Sequence, residues 1–152
     1  MNLNEEVELL KNVPLFAKVE PAKLKLLAFT SERLTFDSGQ EVCHQGDAGD
    51  AMYVILGGKA DILIDREGGD GQIKVAELSR HGFFGDIAIL CDVPRTATVR
   101  ATEDLLTLKI TKEMFYRMVQ EFPTMAVEML RELAHRLEDT NNQLRAMSQR
   151  AA

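Results

Sequence analysis

The sequence predicts a mainly β fold, an antiparallel barrel or sandwich with helices at both ends. Three observations predict it. Between Arg33 and Ile110 the apolar residues fall in short runs such as LTF, MYVIL, ADILI, IKVAEL, ATVRA and LLTLKI, with a period near two, which is the spacing of strands. Glycine- and aspartate-rich turns divide these runs at 37–39, 46–50, 57–58 and 68–71, and many short strands so divided point to an all-β sandwich or barrel. On either side of this segment the apolar period lengthens to that of helices.

The elements follow in order. Asn4 is placed to cap a helix over Glu5–Lys11, with Glu5 and Glu6 at the positive end of its dipole. Pro21 suits the first position of a second helix, Pro21–Phe29, whose apolar residues are Leu24, Leu26 and Leu27. These make an N-terminal helical segment, 1–30. The β region spans 31–110. Within it Met52, Val54 and Leu56 alternate inward, or the reverse, and Gly57-Gly58 between two apolar runs signals a hairpin. Thr111 is an N-cap for a helix over Lys112–Glu121, and Pro123 opens another that can run to about Arg150. The segment 111–150 is thus a C-terminal helix pair ending in a long helix. Leu130, Leu137 and Leu144 recur every seven residues, with Ala134, Asn141 and Ser148 four after each, a heptad-like seam. The outer half of so long a helix runs past a small barrel, which predicts a homodimer through 123–150. The whole reads as one domain.

Composition narrows the function. The 152 residues are 45% hydrophobic, enough for one core, and carry 18 Lys+Arg against 24 Asp+Glu, a formal charge of −6. A duplex reader shows a basic stripe; with no Lys/Arg run, no nucleic-acid binding is expected of this chain alone. No apolar run approaches the roughly 18 residues of a membrane span, and MNLNEEVELL lacks a signal pattern, so no membrane partner and a cytoplasmic location are expected. Two cysteines, Cys43 and Cys91, make neither a disulfide framework nor a four-thiolate cluster; both are expected to be reduced and structural, Cys91 in packing. His44, His81 and His135 include no close pair, and Cys43-His44 would face opposite sides of a strand. No metal site is expected. His81 reads as a solvated loop residue. No P-loop and no nucleophile pattern is present, so no catalytic residue is assigned.

One stretch carries chemistry, FFGDIAILCDVPRTATV at 83–99. Gly85 lets the backbone approach a ligand without a Cβ in the way. Ile87–Leu90 can form one helical turn whose free N–H groups favour an anion. Arg95, nine positions after Asp86, supplies a fixed fork suited to phosphate oxygens, and Pro94 stiffens the approach to it. Asp86 is an acceptor for sugar hydroxyl donors. Ala88 and Ala97 keep the floor shallow. Taken alone, Asp86 and Arg95 would read as a surface salt bridge beside a turn. Phosphate donors and a hydroxyl acceptor on one short segment instead describe a site for a nucleotide ribose-phosphate.

The stretch FFGDIAILCDVPRTATVRA resembles the phosphate-binding cassette of cyclic nucleotide-binding domains, as in kinase regulatory subunits, gated channels and the catabolite activator protein. GDAGDAMYVILGGKADI is similar to that family's glycine-punctuated hairpins, and the likeness runs from Val13-Pro14-Leu15-Phe16 to the last helix. The resemblance implies an antiparallel jelly-roll β-barrel that binds cAMP or cGMP, with no other cofactor. It implies that Gly85, Asp86, Ile87 and Ala88 cradle the ribose-phosphate, that Arg95 pairs with the exocyclic phosphate oxygens, and that Thr96 and Ala97 reach phosphate or base. Asp86 stands where the family has a glutamate for the ribose 2′-OH, and its oxygen sits roughly 1.5 Å further back, about one carbon–carbon bond. Thr140 matches a threonine that contacts the purine, and Asn141 a serine reaching across from a partner subunit. The nine-residue spacing is kinase-like; the gapless long helix is like that of the catabolite activator group. The implied role is a regulatory module in which ligand moves the helices about a hinge near Thr111. The alternative is a degenerate cassette in an interaction domain that dimerises and binds no nucleotide.

Overall fold

The structure, a computed structural model, describes residues 2–151. Helix α1 spans Leu3–Lys11, a 3-10 turn Pro14–Phe16, and helix α2 Pro21–Thr30. The cap of α1 is Asn2, not Asn4: its side chain accepts from the Glu5 N–H at 2.9 Å. Starting two residues earlier lets Leu3 pack against the core. Pro21 opens α2 as expected.

Eight strands follow: β1 Glu32–Phe36, β2 Glu41–Cys43, β3 Ala51–Gly57, β4 Ala60–Asp65, β5 Gln72–Leu78, β6 Phe83–Phe84, β7 Thr98–Ala101 and β8 Leu105–Thr111. They form two four-stranded antiparallel sheets, in the orders β1-β8-β3-β6 and β2-β7-β4-β5. The barrel expected from the sequence is not closed, because among the described residues no ladder joins the two sheets and each keeps its own edge strands. Gly57 still belongs to β3, and the hairpin turns at Gly58, whose φ is 91°.

Strand β3 departs from alternation. Its residues from Ala51 to Leu56 are all buried, because both faces of its sheet are covered. Met52, Val54 and Leu56 join Leu10, Phe16, Leu24, Phe115 and Met125 in a core beneath the helices. Tyr53 and Ile55 join Phe84, Val99 and Leu105 in a second core between the sheets. Neither choice of inward set was right alone; each set faces a different core.

Between β6 and β7 lies helix α3, Asp86–Cys91. After β8 come α4, Lys112–Glu121, capped by the Thr111 hydroxyl, and the 29-residue α5, Pro123–Ala151. The start of α5 is anchored by buried Met125 and Met129. From Leu137 to Arg150 every residue is exposed. Among the described residues, no helix is long and apolar enough to cross a membrane.

Candidate functional site

The site is built where β6 runs into α3. Gly85 is the N-cap of α3, with φ 87°, a left-handed conformation that only glycine adopts at little cost. A Cβ there would lie 2.5 Å from Arg95 Nη1 and 2.8 Å from the Ala51 carbonyl oxygen. The turn therefore does two things: it aims α3, and it leaves room for a guanidinium.

That guanidinium is buried. Arg95 is 6% exposed, and the loop before β3 holds its backbone. The Arg95 N–H donates to the Asp47 carbonyl at 2.7 Å, and the Gly46 N–H donates to the Arg95 carbonyl at 2.9 Å. Gly49 packs beneath the side chain: a Cβ on it would meet Ala88 Cβ at 2.5 Å and Arg95 Nε at 3.1 Å. Nη1 donates weakly to the Gly85 carbonyl at 3.5 Å, and the Tyr53 ring, stacked on Phe84, lies 5.9 Å from the guanidinium carbon. Among the described residues no carboxylate pairs with Arg95. A buried cation so placed costs free energy unless an anion satisfies it.

Asp86 is 2% exposed. It does not pair with Arg95, so the surface salt bridge is excluded in favour of two separately buried charges. Its partner is Arg136 of α5, whose Nη1 stands 3.5 Å from Oδ1. The other oxygen, Oδ2, is buried and has no hydrogen-bond partner among the described residues. Burial pushes the Asp86 carboxyl above its ordinary range, and the Arg136 charge opposes the shift. An orphaned buried acceptor of this kind is suited to a hydroxyl donor.

Seven of the residues singled out from the sequence, Gly85, Asp86, Ile87, Ala88, Arg95, Thr96 and Ala97, line one cavity of about 90 Å3. Cys43, Ile62, Phe84 and Val99 complete its apolar wall, and Arg136 closes it. The Cys43 thiol, raised by burial against the lowering charge of Arg95, stays protonated. Thr140 and Asn141 lie elsewhere: both are exposed on α5, and the Thr140 hydroxyl donates to the Arg136 carbonyl at 2.9 Å. Cys91, expected to pack, is exposed on the outer side of α3, because the six-residue helix turns Asp86, Ala88 and Ile89 inward instead.

Sequence reading missed Arg136. Its guanidinium lies 4.3 Å from the Phe83 ring centroid, and Nη2 donates to the Phe83 carbonyl. A charged residue on an exposed helix carries no local signal of such a contact. The site is also tied to α4. The Tyr116 hydroxyl donates to the Ile89 carbonyl at 3.1 Å, the Lys112 N–H donates to the Asp50 carbonyl at 2.8 Å, and Lys112 Nζ lies 3.4 Å from Asp92. The loop that holds Arg95 thus also holds the first residue of α4.

Known proteins resemble this chain over most of its length. A family model, described as the cyclic nucleotide-binding domain, matches residues 33–122. A cAMP-dependent protein kinase regulatory subunit from Blastocladiella emersonii is 34% identical over 111 residues, covering 72% of this chain and 27% of the relative. A CRP-like cAMP-activated global transcriptional regulator from Mycobacterium tuberculosis is 28% identical over 138 residues, covering 90% of this chain and 61% of the relative. The crystal structure of the Thermus thermophilus catabolite activator protein matches with a TM-score of 0.77 at 27% identity, over 89% of this chain and 63% of that one. The chain therefore spans about a quarter of the kinase subunit and under two thirds of the two regulators.

Proposed function

This chain belongs to the cyclic nucleotide-binding domain family, and from that premise we propose that it is a sensor module whose ligand is cAMP or cGMP, bound at 83–99, and whose output is movement of α4 and α5. The observation that carries the reading is Arg95: a buried guanidinium without a carboxylate partner among the described residues, held by two glycines against the first turn of α3. A cyclic phosphate would supply the missing anion, with backbone N–H groups of the cassette adding donors. The orphaned Asp86 oxygen suits a ribose hydroxyl, and the Ile62, Val99 and Cys43 wall suits a purine face. Relatives named for cAMP dependence and cAMP activation support the ligand class.

Coupling would run from phosphate through Arg95 and the 46–50 loop to Lys112, and from α3 through Tyr116 to α4. The energy available is the ligand's differential affinity for two helix arrangements. In a homodimer through α5, Thr140 of one chain and Asn141 of the other would meet the purine. The strand pairs β1–β8, β2–β7, β3–β6 and β4–β5 support a jelly-roll winding beneath this site. The alternative, a degenerate domain that only dimerises, is not favoured, because it leaves a buried cation and a buried acceptor without purpose. Calorimetric titration with cAMP and with cGMP tests the reading. Saturable one-site binding of either is expected, and no heat with either at millimolar ligand would reject it.

A further inference from the structure

A second cavity, of about 260 Å3, opens between the 3-10 turn, the loop from β5 to β6 and the first half of α5. No residue lines both it and the cassette cavity. Pro14, Leu15 and Phe83 give it an apolar base. Its polar groups come from His81 and from one face of α5, where Glu128, Glu132 and His135 follow at spacings of four and three, the spacings that bring side chains together on a helix. The sequence reads His81 as a solvated loop residue, yet its Nε2 is buried and has no hydrogen-bond partner among the described residues. Its φ is 79°, a left-handed backbone that a residue with a side chain adopts at a cost. Two hydrogen bonds enforce that turn: the His81 N–H donates to the Ile55 carbonyl at 2.9 Å, and the Ile55 N–H donates to the Gly82 carbonyl at 2.8 Å. The two carboxylates differ. Glu128 is held twice, by Arg131 Nη1 at 2.8 Å and by Lys18 Nζ at 3.3 Å. Glu132 has, among the described residues, Arg136 Nε at 3.8 Å, beyond a hydrogen bond. One carboxylate and one buried ring nitrogen are thus left without donors above an apolar base.

We propose that this cavity is a second ligand site and that its ligand is a small organic ammonium ion, with its apolar body on Pro14, Leu15 and Phe83 and its charged head between Glu132 and His81. The lining charge selects the sign: two carboxylates face the cavity against one guanidinium. An ammonium brings donors and no acceptor. It satisfies the Glu132 carboxylate and a His81 ring nitrogen in the tautomer that accepts, with the His135 ring at the rim. A carboxylate or phosphate ligand would meet Glu128 and Glu132 as like charges. A volume of 260 Å3 lies just under the range of drug-sized ligands, so the apolar body is short. The occupant bridges α5 to the loop that leads into β6, the strand that runs into the cassette at Gly85.

The test uses the full 152-residue chain and probes of one shape and different charge: 2-phenylethylammonium, 2-phenylethanol and phenylacetate. Binding is read from the imidazole NMR signals of the chain's three histidines at neutral pH. His44 lines neither cavity and is the internal reference. The ammonium is expected to shift His81 and His135 saturably and to leave His44 unchanged. The alcohol and the carboxylate are expected to bind at least about tenfold more weakly, the loss of one charge-assisted contact. Glu132→Gln should weaken the ammonium about tenfold on the same ground and leave the thermal transition native. His81→Asn keeps a residue that tolerates the left-handed backbone and is expected to abolish binding, read at His135. Should it not give a native thermal transition, His81→Gly carries the same comparison. No shift at His81 and His135 with the ammonium would overturn the site. Equal binding of the alcohol, tighter binding of phenylacetate, or native affinity in Glu132→Gln would overturn the assignment of its ligand. None of these readouts involves a cyclic nucleotide, so the second site stands or falls apart from the sensor reading.

Discussion

Arg95 and Asp86 are the two residues at which burial and charge conflict most sharply. For Arg95 the conflict is resolved by an anion, so Arg95→Ala is expected to remove a partly buried charge-assisted contact and to weaken nucleotide binding by about 2–5 kcal/mol. Titration at fixed salt measures it, and an unchanged Kd would place the phosphate elsewhere. For Asp86 burial favours the protonated carboxyl. The folded state then holds that proton more tightly than the unfolded chain, so the stability it contributes is present in acid. That stability is lost as pH rises from the ordinary value of 3.8 through the raised folded value. At neutral pH the carboxylate is a net cost. Asp86→Asn is therefore expected to be more stable than the native chain at pH 7, by about 1 kcal/mol, with weaker nucleotide binding. Denaturant titrations at several pH values should show the advantage shrinking toward zero as pH falls through that window. Gly85, Asp86 and Arg95 were legible because the motif is local. Arg136 was not, because its contact with Asp86 crosses 50 residues of chain (136 − 86 = 50) and a helical arginine has many uses.

The elements show where periodicity suffices and where it does not. Thr111 and Pro123 announced α4 and α5 with their bounds because caps and prolines act on the backbone directly. Strands β2 and β6, three and two residues long, are too short to show a period and were missed. Strand β3 gave no single buried face because two cores compete for it. The loop before β3 was legible as a turn, but its task was not: Gly49 is there to admit Arg95, which only the packing reveals. Gly49→Ala is expected to push on Ala88 and on the Arg95 side chain. Overpacking of this kind costs about 1–3 kcal/mol, and misplacing the guanidinium should weaken nucleotide binding at least tenfold. A variant that binds as the native chain does would show that Arg95 is not positioned by this loop.

At the scale of the molecule the open question is what covers α5. A 29-residue helix is about 44 Å long at 1.5 Å per residue, and from Leu137 to Arg150 every residue of it is exposed. A lone helix of that remaining length is marginal in water. Along it Val127, Ala134, Asn141 and Ser148 alternate with Leu130, Leu137 and Leu144 at spacings of three and four, and Val127 and the leucines are all exposed, Leu137 at 62%. This places leucine at every d position and one asparagine at an a position, a pattern that favours two parallel strands and fixes their register. Alanine and serine at two of the other a positions, 134 and 148, keep the outer seam weak. We therefore expect a parallel homodimer at tens of micromolar, with a mass near 34.0 kDa (2 × 17.0) by light scattering. Leu137→Glu should return it to 17.0 kDa without altering the thermal transition of the β sheets, since Leu137 touches neither core. A native mass of one chain would leave α5 to fold back as a lid. A dimer that survives Leu137→Glu would place the interface on another surface and separate Asn141 from the purine of its partner.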